Sequence, residues 1–425
     1  MDGRFKSPAV ALDCLGCKLN QAEIEQIGRQ LARAGYRLVE PGEKADIYIL
    51  NTCTVTHVAD RKSRHMLRLA HRRNPDARLI AIGCYAERAR RELEGIDGVD
   101  LVLGNDDKSH LVQSLGESVR YGQPVVDSPG GYYYDGSRTR TFVKIQDGCR
   151  NFCAYCIVPA VRDHPESVPV ERVVTEIKEQ ISDGYKEIVL TGTEIGAYSH
   201  DGVSLGGLLE RIISETAVTR LRVSSLQPQE ISPELIGLWR DRRLCPHFHL
   251  SLQSGSDSVL KRMKRRYTTA DFQRAASLIR EIVPDVSLTT DIIVGFPGET
   301  ESEFQESLSF CGQMRFARIH VFPYSPRPGT VAASMTSQVT SRVKKQRSQQ
   351  MLTLAENSLH NFERSYLGRT MTVLWEQKDG GIWSGLTGNY IRVYARGRED
   401  LTNKLLPVTL EKIYKDGVWG EVIAR

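Results

Sequence analysis

DGCRNFCAYCIVP, residues 147–159, places Cys149, Cys153 and Cys156 at the spacing C-x3-C-x2-C. Three thiolates on one tight loop hold three irons of a 4Fe–4S cluster and leave the fourth iron open, whereas a structural zinc site normally takes four protein ligands. A zinc site completed from elsewhere in the chain is the competing reading. Tyr155, directly before the last cysteine, is placed to pack its ring beside such a cofactor.

The motif follows a strand-like run at 141–146 that heads a series. Further strand patterns lie at 187–190, 221–225, 248–252, 286–294 and 318–324, with helical patterns at 170–182, 205–214, 269–282 and 301–314 between them. Strands joined by helical crossovers predict a partial (β/α)6 barrel, with sites at the carboxyl ends of its strands.

Upstream, strand and helix also alternate. A strand at 10–14 precedes a helix at 20–34 whose Ile24, Ile27, Leu31 and Ala34 share one face, with Gly35 as its stop. A buried strand DIYILN (46–51), a basic helix from about residue 59 to 73, and strands at 79–82 and 99–103 follow. The pattern predicts a small parallel sheet covered by helices. Cys17 (LGCKLNQ), Cys53 (NTCTVT) and Cys84 (IGCYAE) then follow the first, second and third strands. Carboxyl ends of parallel strands are where sites form, so three converging thiols predict a second cluster. Taken alone they are equally readable as core cysteines.

Downstream, DSPGGYYYDG (127–136) marks a linker, and 339–366 is a polar helical stretch. After Gly368 come short strands and turns carrying Trp375, Trp383 and Trp419, which predict a small five-stranded antiparallel β-barrel. The fold class is α/β, in four parts: an N-terminal domain at 1–130, the partial barrel at 137–335, a helical connector at 336–366 and the small barrel at 367–425.

Composition bounds the rest. With 425 residues, 40% apolar and 26% charged, the chain packs a core and is not a disordered polymer. No run of about 18 apolar residues exists, and the start lacks the apolar region of a secretory leader. The expectation is a cytoplasmic protein without a membrane partner, whose 9 cysteines serve metal or redox chemistry and not disulfides. The formal net charge is +5, and residues 336–425 carry 14 Lys and Arg against 9 Asp and Glu. Two further basic clusters are Arg61, Lys62, Arg64, Arg68, Arg72 and Arg73, and Lys261, Arg262, Lys264, Arg265 and Arg266. Each reads either as a solvated face or as a surface for an anionic partner.

The cysteine loop opening a partial barrel resembles the radical S-adenosylmethionine superfamily. The second triad and the terminal barrel narrow the resemblance to the methylthiotransferase family, over nearly the whole chain. It rests also on PHFHLSLQSGSDSVLKRMKRRYT (246–268), TTDIIVGFPGETESEF (289–304) and HVFPYSPRPGT (320–330). The resemblance implies two 4Fe–4S clusters and S-adenosylmethionine, which is cleaved to a 5′-deoxyadenosyl radical able to take hydrogen from an unactivated C–H bond. The auxiliary cluster on Cys17, Cys53 and Cys84 is implied to carry the sulfur. An electron donor such as flavodoxin or ferredoxin and a sulfur source are implied partners, and the terminal barrel resembles the RNA-binding TRAM module.

LGCKLNQ, NTCTVT and ADRKSR (59–64) resemble the branch that inserts a methylthio group at carbon 2 of N6-threonylcarbamoyladenosine at position 37, in the anticodon stem-loop of tRNA. Sister branches act on isopentenyladenosine in tRNA or on a ribosomal protein. Arg61, Lys62 and Arg64 are the candidate partners of the threonylcarbamoyl carboxylate. The resemblance also implies that Thr191, Gly192 and Thr193 meet the methionine amino group, that Ser224, Gln253 and Asp291 meet its ribose or methionine, and that GFPGET (295–300) shapes the adenine side. Cys14, Cys245 and Cys311 are expected not to bind iron. Three features depart from the family pattern. VRDHPESVP (161–169) keeps Arg162, Ser167 and Pro169 but not the usual Gly or final Arg, Gln227 stands before Pro228 in place of Glu, and Cys14 lies three residues before Cys17. Two other classes compete: a radical enzyme that modifies a protein, and an electron-transfer protein with two clusters and no radical step.

Overall fold

The computed structural model describes residues 7–116 and 139–423, so the linker at 127–136 lies outside the described residues. Near-continuous apolar runs such as Ile47–Thr52 and Arg78–Gly83 form strands buried on both faces, as parallel strands between helices must be. Five parallel strands stand in the order Arg37–Val39, Ala9–Cys14, Ile47–Thr52, Arg78–Gly83, Val99–Leu103. Arg37–Val39 went unread in the sequence because it is three residues long and only partly buried. Cys53 and Cys84 therefore follow the third and fourth strands in chain order, not the second and third. The order reverses between Ala9–Cys14 and Ile47–Thr52, and crevices for ligands open at such a switch point.

Six strand positions in sequential parallel order make the partial barrel: Arg140–Lys144, Glu187–Thr191, Arg220–Val223, His247–Leu250, Ser287–Val294 and Arg318–Pro323. The third strand is broken at Ser224. Its first half pairs with Glu187–Thr191, and its continuation Ser225–Leu226 pairs with His247–Leu250. Leu208, Phe248, Phe272, Ile292 and Phe304 fill the core between strands and helices, each fully buried apolar side chain contributing about 1.5–3 kcal/mol.

Both open edges of the barrel are covered. Helix Lys18–Arg33 of the N-terminal domain packs on Arg140–Lys144, and helix Ser341–Arg364 packs on Arg318–Pro323. Ion pairs Arg29–Glu176 at 2.6 Å and Arg33–Glu179 at 2.9 Å tie the first of these to helix Val170–Ser182.

Residues Thr370–Val422 form a closed five-stranded barrel. The predicted all-antiparallel arrangement holds except where Arg392–Arg396 meets Gly417–Val422 in parallel, the pair that closes the ring. Gly380 and Gly381 form the turn between the first two strands, both at positive φ, as a two-residue hairpin requires. This module docks against the amino ends of the large barrel's strands. Arg222 donates to the Gly388 carbonyl at 2.8 Å and lies 3.9 Å from the Tyr390 ring centroid, while its guanidinium pairs with fully buried Glu187. Arg140 adds an ion pair to Glu376 at 2.6 Å. Among the described residues, no helix is long and apolar enough to cross a membrane.

Candidate functional site

Two cysteine triads flank the joint between the N-terminal domain and the large barrel, where Cys84 packs with Ile157 and Val161. Cys149, Cys153 and Cys156 line an open cavity of about 600 Å3 at the carboxyl ends of the strands, with Thr193, Glu194, Gln227, Gln253 and Arg265. Cys149 donates its thiol to Glu194 Oε2 at 3.3 Å, and Arg265 Nη1 donates to Cys153 Sγ at 3.1 Å. Burial pushes the Cys149 thiol up to about 12 and the Cys156 thiol up to about 11. Three sulfurs facing one cavity, with carboxylate and amide groups beside them, fit an iron–sulfur cluster whose fourth position stays open.

The second triad is assembled by topology. Gly16, at φ +110, lies so close to Cys53 that an added Cβ would stand 2.7 Å from Cys53 Cβ and 2.9 Å from its Sγ. Cys17 and Cys84 both bear electrostatically on Cys53, whose thiol is pushed up to about 12 chiefly by burial. Cys84 accepts from Arg162 Nε at 3.3 Å and from Asn105 Nδ2 at 3.8 Å. Cys14 is half-buried and close enough to Cys17 to raise its own pKa further, after burial. Cys245 and Cys311 are buried away from both triads.

A buried charge network joins the two triads. Arg162, with its side chain 3% exposed, pairs with Glu23 at 2.8 Å and with Asp147 at 2.7 Å, two residues before Cys149. Glu23 also pairs with Lys108 at 2.5 Å and Lys144 at 3.3 Å. Burial alone would raise the Glu23 carboxyl, but Lys108 and Arg162 outweigh it and hold the group well below the usual range.

The sequence-predicted contacts fall out unevenly. Thr191 ends its strand and is buried. An added Cβ on Gly192 would stand 2.7 Å from the Gln146 carbonyl, and Thr193 N donates to Gln146 Oε1 at 3.0 Å. Ser224 is buried with its amide on the Leu190 carbonyl, and it is the neighbouring Ser225 that reaches the cavity. Gln253 adopts φ 70 and lines two cavities, the one described and a second of about 770 Å3 that also contains Tyr155, Cys156, Asp291 and Phe322. Tyr155 packs beside Val259, Met263 and Phe296.

GFPGET faces two ways, with Phe296 in the cluster behind Tyr155. Gly295 abuts Lys344, and Glu299 is bound by Arg347 at 2.8 Å, so this segment anchors the connector helix and lines neither cavity. The basic cluster 261–266 is not one surface either. Arg262 pairs with Glu303 at 2.7 Å, and Arg265 is turned onto Cys153 and Gln227. Arg64 is engaged by Glu92 at 2.8 Å, which leaves Arg61 and Lys62 on the exposed face of helix His57–Arg73.

Sequence reasoning missed Glu194, Glu230, Arg265 and Arg162 as parts of the site. Glu194 adjoins Thr193 in the same strand-end loop and was within reach. Arg265 was hidden in a run of like charges. Gln227, where the family pattern has Glu, donates to Glu194 at 3.1 Å and lies beside Glu230. Its amide supplies a donor between two carboxylates where a third carboxylate would be repelled.

The Radical SAM superfamily profile matches residues 143–311, and that of Uncharacterized protein family UPF0004 matches 9–104. A radical S-adenosylmethionine methyltransferase from Kitasatospora setae, TsrM, shares the fold with a TM-score of 0.57 at 15% identity, over 77% of this chain and 74% of that one. Fold and cysteine loop thus define a radical S-adenosylmethionine enzyme, whose family brings a 4Fe–4S cluster and S-adenosylmethionine. The threonylcarbamoyladenosine tRNA methylthiotransferase MtaB of Bacillus subtilis is 36% identical over 97% of each chain, and that of Thermotoga maritima 39% identical over 90% of each. A tRNA-2-methylthio-N(6)-dimethylallyladenosine synthase from Endomicrobium trichonymphae is 31% identical over 97% of this chain and 99% of its own. The chain belongs to the radical S-adenosylmethionine methylthiotransferase family.

Proposed function

We propose that this enzyme adds a methylthio group at carbon 2 of N6-threonylcarbamoyladenosine at position 37 of tRNA, in the cytoplasm. The observation that carries the reading is the shared cavity. Val55 and Thr56, two and three residues after Cys53, line the same 770 Å3 space as Cys156 and Asp291, so one base placed there touches both the Cys156 loop and the loop that carries Cys53. The relatives named for threonylcarbamoyladenosine are 33–39% identical to this chain, and those named for dimethylallyladenosine 30–33%. Two 4Fe–4S clusters fit the two triads and, with S-adenosylmethionine bound, would supply the radical chemistry and the sulfur. An electron donor of the flavodoxin or ferredoxin kind and a sulfur source complete the requirement.

This chain's own residues do the holding. Glu194 and Gln253 supply acceptors for a cationic amino group, and Arg265 offsets thiolate charge at Cys153. Tyr155 and Val158 give the shared wall an apolar face that excludes water. The target base must leave its stack to enter, as enzymes acting on a base edge require. Arg61 and Lys62 on the helix beside the cavity, with exposed Arg396, Arg398, Lys404 and Lys415 of the terminal barrel, contribute phosphate contacts that add affinity without sequence information. Mass spectrometry of tRNA nucleosides from cells lacking the gene tests the reading. Loss of the methylthiolated form with threonylcarbamoyladenosine accumulating is the expected result, and loss of the methylthio-isopentenyl form would move the substrate to the sister branch.

A further inference from the structure

The interior of the large barrel is layered, because residues two apart on a strand share a face and lie about 6.6 Å apart in height. The upper layer, at the mouth, is Gln253, Ile293 and Phe322, and Asp291, paired with His320 across the sheet, stands one layer below. From His320 downward a separate cavity of about 670 Å3 spans the lower layers, lined among others by His247, His249, Thr289, Arg318 and His320. The two meet where His249 Nε2 lies 3.2 Å from Asp291 Oδ2. Lys18, the residue after Cys17, reaches this lower chamber because its helix covers the barrel's open edge. Neither Lys18 nor Arg318 forms an ion pair among the described residues, and Lys18 Nζ stands 6.0 Å from the Tyr390 ring centroid.

We propose that this lower chamber is the specificity pocket for the substrate's carboxylate, with Lys18, His249 and His320 as its partners. The inference rests on the proposed function and deepens it. A threonylcarbamoyl group extends about 5–6 Å from N6 to its carboxylate oxygens by standard bond lengths, close to the spacing between the two layers. An adenine against Phe322 and Ile293 therefore delivers its carboxylate to the level of His320, at the top of the lower chamber, where Lys18, His249 and His320 must outweigh the charge of Asp291. Carbon 2 and carbon 6 flank the same ring nitrogen, so the side chain descends from the edge that reacts. His249, Asp291 and His320 also bring three donor atoms within 4.8 Å of one another, a set that can hold a metal ion. Lys18 and Arg318 on the same chamber repel a dication and attract a carboxylate, so an organic anion is the occupant that matches the chamber's charged groups. Arg61 and Lys62, the sequence-based candidates for this role, are exposed on a helix outside the chamber.

The test compares an anticodon stem-loop carrying threonylcarbamoyladenosine with the same RNA as its carboxyl methyl ester, using fully reconstituted enzyme with S-adenosylmethionine, reductant and sulfide. Wild-type kcat/KM is expected to be about ten- to hundredfold higher for the acid, the range of a charge-assisted contact. Lys18→Met and His320→Leu are expected to lower kcat/KM on the acid and to erase its advantage over the ester, with Lys18→Arg restoring part of it. Equal wild-type rates on acid and ester overturn the pocket while leaving the proposed function standing. Equal losses on both substrates in the variants overturn it too, since a merely structural role would show that pattern. Stoichiometric zinc in the wild type that disappears in His320→Leu would replace it with a metal site. Activity confined to an isopentenylated stem-loop would instead refute the proposed function.

Discussion

Cys149, Cys153 and Cys156 stand within 8 residues on one loop, whereas Cys17, Cys53 and Cys84 are gathered from a span of 68. The first set needs little beyond the turn of its own backbone, where the Cys156 amide already binds the Cys153 carbonyl at 3.0 Å. The second exists only when three parallel strands are in register and Gly16 lets its loop lie against Cys53. A site made by a loop is legible as spacing and tolerant of distant change. A site made by a sheet is legible only through the fold and shares its fate.

The sharpest way to break that comparison is to remove each triad in turn. Cys149, Cys153 and Cys156 replaced together by Ala should leave about half of roughly eight irons per reconstituted chain and abolish 5′-deoxyadenosine formation. Replacing Cys17, Cys53 and Cys84 should also halve the iron but keep 5′-deoxyadenosine while ending methylthiolation. Full iron in either triple variant would sink the corresponding assignment.

Next in size is the joint. Arg162→Ala leaves Glu23 and Asp147 short of a buried cation, which costs about 3–5 kcal/mol where a buried pair is broken. Thermal unfolding should shift down clearly, with iron lost from the Cys84 side first. A Tm within 1 °C (an order-of-magnitude tolerance) would show that the network is not a joint.

Gly16→Ala probes the sheet-built triad alone. The forced positive φ and the contact with Cys53 should cost about 1–3 kcal/mol and deplete auxiliary iron selectively, read as a lower iron count with 5′-deoxyadenosine formation retained. Uniform loss from both sites would blur the distinction between the triads.

The smallest expected effect concerns pH. Burial, with Glu194 nearby, pushes the Glu230 carboxyl up to about 7. The group is neutral below that pH and anionic above it, and it lines the cavity of the cysteine loop. Affinity for the cationic sulfonium of S-adenosylmethionine should therefore rise a few-fold from pH 6 to 8 (roughly one unit either side of the shifted value). Glu230→Gln should flatten the profile in equilibrium binding measurements, and an unchanged slope would remove Glu230 from that role.

Much of this was readable before the fold. Six strand positions of the large barrel, the sheet upstream and the small barrel downstream all announce themselves by apolar runs between turn residues, because such runs must be buried somewhere. What stayed hidden depends on contacts between distant segments. Arg37–Val39 is too short to show a period. Arg265 and Arg262 look like solvated charge until Cys153 and Glu303 are seen beside them. Ser224 and Ser225 are adjacent and alike, and only the break in the strand decides which one faces the cavity. Lys18 falls just before the helix read at 20–34 and draws no notice until that helix is seen lying across the barrel's open edge.

The joint around Arg162 also sets a rule for exchanging parts between relatives. Glu23 and Lys108 come from the N-terminal domain and cancel, whereas Lys144, Asp147 and Arg162 come from the barrel and leave one positive charge over. That surplus faces Cys84. A chimera that borrows either half from a homologue inherits half of a charge balance, and it will assemble its sheet-built cysteines only if the borrowed half returns the same sum.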